Sequence, residues 1–590
     1  MKKFFTIFLV LFLTISVNAK NVFVATSGDN SDGSSWAKAL TSIPNNSSSA
    51  ISAGDSVFVK AGTYSFSQTV AASSAFATKA NVNYIGGFAG TESNSAQRVK
   101  SDLDNNGIVE PWEFSNATVL SISATNNAFG LYITVNTTSQ RVFEGFKITG
   151  TMDMGQLSGS TGGNNMVRIV GYTVFKNNTL SACTLSAAPN TATSNMGYTK
   201  GALIYIGQGS TTTVNNVVDN CLIENNTSTI TPTSSHTVDV QQSPFVHIDA
   251  SNSTGRNVLS NCVFRNNQVT LDYTNFGMGT PSYNNPRGML ISMSIFGSSA
   301  LIGQYNCIRN LLVHNNSATF IPKGGTGTSS LSNGGLIFTY NAAQATYDSI
   351  LNCTVANNSM TRIGYAIRGG FSNTTQPYHV IANNVLLENK NNNGTGTISV
   401  QNLAINQAPA GAAGTITIAN NIGNGGISAT ANVNNVFGNI TDLSAVNDNV
   451  KGAYFNSPTS IIGYTTDASV ATSNWTIQTS SYLKGKGIVT SNKSDKAGVA
   501  FSLTTPAVGA YEYFFNPGTG IVLPGEMSMV SVVDNGIISN VDGQMQIFTF
   551  NGQMIASKQI QTGQNLSLRS GVYIIRILTG QGTAVQKIVL

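Results

Sequence analysis

The chain has 590 residues, with 30 Lys and Arg against 25 Asp and Glu, for a formal net charge of +5. Charged residues are only 9% of it, against about a quarter in an average soluble protein, and no basic cluster is present that would hold nucleic acid. Hydrophobic residues reach 41%, which excludes a disordered polymer; Asn, Ser, Thr and Gly replace the charges and give a neutral, hydrogen-bonding surface. The first element is MKKFFTIFLVLFLTISVNA, with two lysines before an apolar run from Phe4 to Val17 and small residues at Val17-Asn18-Ala19. This pattern predicts a secretory signal peptide over residues 1–19, removed on export. The run is short for a retained membrane helix, and no transmembrane segment is expected after cleavage.

Next in chain order, SDLDNNGIVEPWEF at 101–114 has the spacing of a twelve-residue calcium loop. Counted from Asp102, the oxygen-bearing positions are Asp102, Asp104, Asn106, Ile108 (through its carbonyl), Glu110 and Glu113, with Gly107 at the turn. Ca2+ takes six to eight oxygens, so carboxylates at alternate positions can wrap one ion. Pro111 would fall in the first turn of an exit helix, where its missing N–H costs nothing, while SNSAQRVK before the loop is a poor helix former. The expectation is a structural Ca2+ clip on an insertion, 102–113, pinning an N-terminal cap to the first repeats. An acidic surface turn is the alternative.

The middle of the chain repeats. NCLIENN starts at Asn220, NCVFRNN at Asn261, NLLVHNN at Asn310, NCTVANN at Asn352 and NVLLENK at Asn384, with a weaker copy, YTVFKNN, from Tyr172. The first Asn of each pair falls at 177, 225, 266, 315 and 357. A second string keeps step: ALIYI at 202–206, FVHID at 245–249, MLISM at 289–293 and GLIFT at 335–339. Each repeat reads as about three short strands. One such unit cannot bury its own apolar face, so repeats must stack. The predicted fold is all-β, a right-handed parallel β-helix over residues 20–515; a β-propeller or serial sandwiches are the rivals. Asn pairs suit sharp bends, where Asn tolerates left-handed backbone, and their side chains can hydrogen-bond from coil to coil. Ser/Thr-rich stretches such as 227–242 read as loops.

Alternation sorts the side chains. Cys221, Cys262 and Cys353 share one repeat position and read as buried thiols; with five cysteines in all, a disulfide-dense scaffold is excluded. The outward column reads Lys176, Glu224, Arg265, His314, Ala356, Glu388, a mixed-charge solvated face in which Glu224 and Arg265 are cross-coil neighbours.

After PGTGIVLP, a linker at 516–524, the texture changes. MQIFTFNGQMI, LSLRSGVYIIRIL and AVQKIVL read as strands of a small Ig-like β-sandwich over 525–590.

Two resemblances rest on these strings. The [FIV]-x-N-N repeats resemble those of polymorphic outer-membrane proteins and other pectin-lyase-like β-helices. NVFVATSGDNSDGSSWAKALTSI (21–43), AGDSVFVKAGTY (53–64), YIGGFAGTES (84–93) and GAYEY (509–513) resemble secreted β-helix proteins of Bacteroidetes-type bacteria, which implies an amphipathic end cap, here with Leu40, Ile43 and Ile51 on its apolar side. The C-terminal strands, with Asn551-Gly552-Gln553, Gly571-Val572-Tyr573-Ile574 and Lys587 to Leu590, resemble the sorting domain of the type IX secretion system. That implies passage through the periplasm to the outer cell surface or medium, with the secretion machinery as partner of 525–590.

No reaction can be read from the residues. Lyases on such a fold need a cation beside a Lys or Arg base, and glycosidases need paired carboxylates. The sparse mid-chain candidates are Asp219, Glu224, His247, Asp249, Arg256, Arg265 and Lys323, and only His247 and Asp249 share a strand face, read as exposed. The expected function is a non-catalytic adhesin or glycan-binding scaffold; the alternative is a polysaccharide lyase or glycoside hydrolase.

Overall fold

The computed structural model describes residues 19–512 except 127, 155–164, 189–198, 208–212, 232–241, 250–253, 276–287, 296–303, 326–330, 342–345, 372–377, 393–397, 401–402, 407–415, 424–426, 430–434, 441–453 and 479. It also describes residues 530–589 except 534–535, 540–541, 550–552, 569–571 and 580–581. Most of the signal peptide, the linker 516–524, the Ser/Thr stretch 232–241, Asn551-Gly552 and Gly571 lie outside the described residues.

The chain divides into two units, Met1–Glu512 and Tyr513–Leu590. The first is a parallel β-helix. Among the described residues its strands form two sheets of 20 and 16 strands, paired in parallel with the strand one coil further on except where Lys390–Asn392 meets Ile398–Val400 antiparallel. Each mid-chain coil contributes four short segments, one more than the sequence suggests. One coil runs Ile204–Gly207, Thr213–Asp219, Leu222–Glu224 and Thr227–Ile230, and the next runs Val246–Asp249, Thr254–Ser260, Val263–Arg265 and Gln268–Asp272. The extra segment arises because Asn breaks the chain twice per coil. Asn220, Asn261, Asn310 and Asn352 have φ between 49° and 56°, and Asn225, Asn266, Asn315 and Asn357 between 54° and 58°. Left-handed backbone costs Asn less than other side-chain-bearing residues, so each Asn turns the chain where a β-branched residue would resist.

The second Asn of each pair faces inward. Asn226 Nδ2 donates to Asn267 Oδ1 at 3.0 Å, Asn267 to Asn316 at 2.8 Å, Asn316 to Asn358 at 2.9 Å and Asn358 to Asn389 at 2.8 Å. Each also donates to a carbonyl of the preceding coil, as Asn267 does to Ile223 and Asn316 to Phe264, both at 2.9 Å. A buried carboxamide is tolerable only when satisfied in this way. A second buried row runs from Asn216 through Asn257 and Asn306 to Asp348, each amide donating to the next side chain. Beside these rows the apolar residues stack in register: Ile223, Phe264, Val313, Val355 and Leu386 follow one another and are all fully buried. Ile43 and Ile51 join this core, with Leu40 packed against it.

Residues 454–512 are not coils. They return along the outside of the Leu222–Glu224 ladder as a strap. The carboxamides of the bends hold it: Asn266 donates to the carbonyl of Thr465 at 2.6 Å, Asn315 to Ile461 and Asn357 to Thr459 at 2.7 Å, and Asn310 to Ser494 and Asn383 to Ile488 at 2.8 Å. The outward column is therefore covered, not solvated: Arg265, His314 and Ala356 are buried. Its membership also differs at both ends. Ser181 precedes Glu224 and Leu387 follows Ala356. Lys176 instead pairs with Asp219, and Glu388 sits at a bend with φ 52°. The motif slips at both ends because Asn pairs stand at more than one bend: Asn177 occupies the first bend of its coil, its N–H donating to the Asp219 carbonyl as that of Asn220 does to Ser260, and in the last copy the first bend falls at Asn383, not Asn384.

In the second unit, Val530–Val533, Gly536–Ser539 and Asn565–Ser567 form one antiparallel sheet, and Met554–Ile560, Gly543–Thr549, Val572–Thr579 and Gly582–Val589 another. Ile537 of the first and Met545, Ile547, Ile575 and Ile577 of the second share one small core.

Candidate metal centre and the buried charges

The loop 102–113 is closed at its base by an antiparallel bridge between Lys100 and Phe114. Arg98 and Lys100 both lie over the Phe114 ring, at 4.5 and 5.0 Å, so cation–π attraction fixes that base. No exit helix follows Pro111; residues 111–112 form a turn. The bridge already fixes both ends of the loop, so flanking helices are not needed to present it.

Within the loop, Asn105 and Gly107 take φ of 57° and 84°. These turns curl the chain inward, and carboxylate oxygens of Asp102, Asp104 and Glu113 come within 4.8 Å of one another. Glu113 ties the two limbs together, accepting from the N–H of Leu103 and of Glu110, each at 2.8 Å. Asp102 accepts from the N–H of Gly107 at 2.9 Å. Asn106 accepts from the N–H of Ile108 at 2.8 Å, and its amide turns to Glu110 at 3.3 Å. Glu110 stands apart from the three converging oxygens, buried, 4.0 Å from Lys496 Nζ. Three of the six expected positions thus converge as charged oxygens, while the Asn106 oxygen is engaged by Ile108 and Glu110 turns toward Lys496.

The loop does not pin the cap to the first coils. It lies against mid-helix coils and the strap. Arg265 Nη1 donates to Asp104 Oδ2 at 2.7 Å and to the carbonyl of Ala471 at 3.0 Å, while its Nε donates to Glu224 Oε2 at 2.9 Å. Asn474 Nδ2 donates to the carbonyl of Asn106 at 3.3 Å. Lys496 Nζ lies 4.6 Å from the Trp112 ring and 5.6 Å from that of Tyr511. Burial dominates the titration here. It raises the Glu110 carboxyl to about 7, against the pull of Lys496, and raises Asp104 against the pull of Arg265. It lowers Lys496 despite Glu110. Asp102, Asp104, Glu110, Glu113 and Glu224 face only Arg265 and Lys496 among the described residues. This surplus of hard oxygen donors suits a divalent cation such as Ca2+, with Asp102, Asp104 and Glu113 as its charged holders. Sequence reasoning missed Lys496 and the covering of Arg265, because the contacts of Lys496 with Glu110, 386 residues apart, and of Arg265 with Asp104, 161 apart, leave no local pattern.

Of the other charged candidates only His247 and Asp249 come together. Asp219 accepts from Ser260 at 2.6 Å and Asn261 at 2.7 Å. Arg256 and Lys323 are exposed at separate places. His247 and Asp249 share a strand face as expected but are buried, not exposed. His247 Nε2 lies 3.9 Å from Asp249 Oδ2, the Tyr205 hydroxyl donates to Asp249 at 3.2 Å, and Arg168 lies over the Tyr205 ring at 4.8 Å. Burial, with Asp249 adding to it, pushes the Tyr205 phenol well up.

No family model matches the sequence, and no curated protein matches it. Among solved structures the chain is similar to one titled crystal structure of pectate lyase Pel9A, at a TM-score of 0.31 and 13% identity, over 84% of this chain and 97% of that one. The parallel β-helix stands on the strand register itself.

Proposed function

We propose that the protein is an exported, non-catalytic β-helix scaffold of the adhesin type that binds an extracellular polysaccharide or cell-surface glycan. One observation supports this reading above the rest: among the described residues, the charged candidates for a lyase or glycosidase site are either held in buried structural contacts or, like Arg256 and Lys323, exposed at separate places. Arg265 is held between Glu224 and Asp104, and His247 and Asp249 lie under cover beside Tyr205. In the same reading Ca2+ is a structural ion. Asp102, Asp104 and Glu113 supply its charge, with Asn106, Glu110 and the Ile108 carbonyl completing the shell. Residues 525–590 act as the type IX sorting domain, and the mature chain ends at the outer surface or in the medium.

A second reading is a polysaccharide lyase or glycoside hydrolase. The cluster of Arg168, Tyr205, His247 and Asp249 favours it, since a cation, a phenol and a carboxylate meet there. The mature chain on a glycan array, beside assays for unsaturated uronate and for new reducing ends, separates the two. Binding without product is expected. Product formation lost in Asp249→Asn would replace the first reading with the second.

A further inference from the structure

The five cysteines are all buried and unbridged, but register sets two of them apart. Leu222 and Ile223 stand opposite Val263 and Phe264, which places Cys221 opposite Cys262 one residue earlier, and the N–H of Val263 donates to the Cys221 carbonyl at 2.9 Å. Strands paired this way lie about 4.8 Å apart, inside the roughly 4.4–6.8 Å between Cα atoms that a disulfide spans. Both thiols point the same way along the helix. Cys221 Sγ lies 3.7 Å from the Phe175 carbonyl of the preceding coil, and Cys262 Sγ lies 4.0 Å from that of Val218, in the coil that carries Cys221. The ladder places no other pair like this among the described residues: Cys353 follows Leu311, whose carbonyl accepts from Thr354, and Cys183 turns toward the Ile148 carbonyl at 3.7 Å.

We propose that Cys221 and Cys262 are a modification site, oxidised together to a disulfide that staples two adjacent coils. The bridge needs Cβ atoms about 3.8 Å apart, so the strand ends must close slightly. Asn220 and Asn261, the left-handed bends at φ 49° and 56° just before each cysteine, put the site at a corner rather than in a continuous strand, where such closure is local. The oxidant is a disulfide, of a small thiol or of a thiol–disulfide oxidoreductase. Its S–S bond breaks, the Cys221–Cys262 bond forms, and two electrons and two protons pass to the oxidant, which leaves as two thiols. Burial, with Cys221 adding to it, raises the Cys262 thiol well above its ordinary value, so exchange is slow once the coils have closed and the bond is made during folding. The stapled coils carry Glu224 and Arg265, three residues further on and separated by the same 41-residue step. The bond therefore fixes the coil pair on which the loop 102–113 docks.

The test is to refold the full chain in a buffer of reduced and oxidised glutathione, quench in acid, alkylate, digest and map. A linked peptide pair holding Cys221 and Cys262 is expected, with Cys183, Cys307 and Cys353 alkylated. The oxidised chain should melt several degrees above the reduced one, and Cys221→Ala should remove the difference while Cys353→Ala leaves it. The same map on chain exported to an oxidising periplasm gives the answer if refolding is poor. Five alkylated cysteines, or a bond between any other pair, would overturn the proposal.

Discussion

Arg265 stands directly opposite Glu224 across one coil step, and the same guanidinium reaches Asp104 on a loop 161 residues away in sequence. Its side chain is only 6% exposed, against 18% for Glu224 and 11% for Asp104. An exposed pair would contribute at most about 1 kcal/mol. A covered one differs, because removing one partner leaves carboxylates without compensation, at a cost of roughly 3–5 kcal/mol. Arg265→Ala should therefore lower the unfolding free energy by that order. Arg265→Lys should recover only part of it, since an ammonium cannot fork between two carboxylates and a carbonyl. Denaturant titration checks both; a loss below about 1 kcal/mol for the alanine variant would mean the face is solvated after all.

The inward Asn row makes a separate prediction. Asn316 donates to Asn358 and Phe264 and accepts from Asn267. Asn316→Ala strands buried partners on both sides, and each unsatisfied group costs about 1–3 kcal/mol. Asn316→Asp places an acceptor where donors are required and should be worse. Thermal melting of the two variants gives the order, and an aspartate variant as stable as wild type would contradict the row.

Asp348 and His379 supply a pH prediction. Both are fully buried, with His379 Nδ1 3.8 Å from Asp348 Oδ2. Burial raises Asp348 to about 7 and lowers His379 to about 3. A raised carboxyl contributes stability at low pH that is lost as pH climbs through the folded value. A lowered imidazole makes the fold bind fewer protons than the unfolded chain, so its contribution grows with pH up to the unfolded value near 6.5. The two slopes oppose each other between about pH 4 and 6.5. Asp348→Asn removes the first, extends the amide row from Asn306, and leaves stability rising with pH across that window. Above about pH 7 the variant should exceed wild type by a few kcal/mol, because each tenfold change in proton affinity on folding is worth about 1.4 kcal/mol. Melting temperatures from about pH 4 to 8 check the sign; parallel curves would refute it.

Export is the fourth prediction. Deleting 525–590 should leave the first unit folded but held in the cell envelope of the native host. Fractionation and immunoblotting would show this, and normal release of the truncated chain would remove the sorting role.

The repeated Asn pairs made the coils legible, because a left-handed bend and a buried carboxamide each demand that residue type at a fixed place. The apolar columns followed from alternation, as Ile223 and Phe264 show. The strap was not legible. Its segments bond to coils through side chains such as Asn315 and Asn357, with no periodicity of their own, so a column that reads as solvated is in fact covered. The register failed at Lys176 and Glu388 because look-alike Asn pairs stand at different bends: Asn177-Asn178 lies at the first bend rather than the second, and the last copy begins at Asn383 rather than Asn384. In the loop 102–113 the ligand spacing could be read. Its partners could not, since Lys496 and Ala471 arrive from the far end of the unit.

In the proposed reading this loop holds a Ca2+ ion that locks loop, coil and strap together. Differential scanning calorimetry of the full chain, first with chelator and then with millimolar Ca2+, tests it most directly. Binding to the folded state alone stabilises it by about 2.7 kcal/mol at a hundredfold excess over Kd, so the melting temperature should rise on adding Ca2+, and Glu113→Gln should abolish the rise. Superimposable melting curves with and without Ca2+ would contradict the account and leave the stretch an acidic turn.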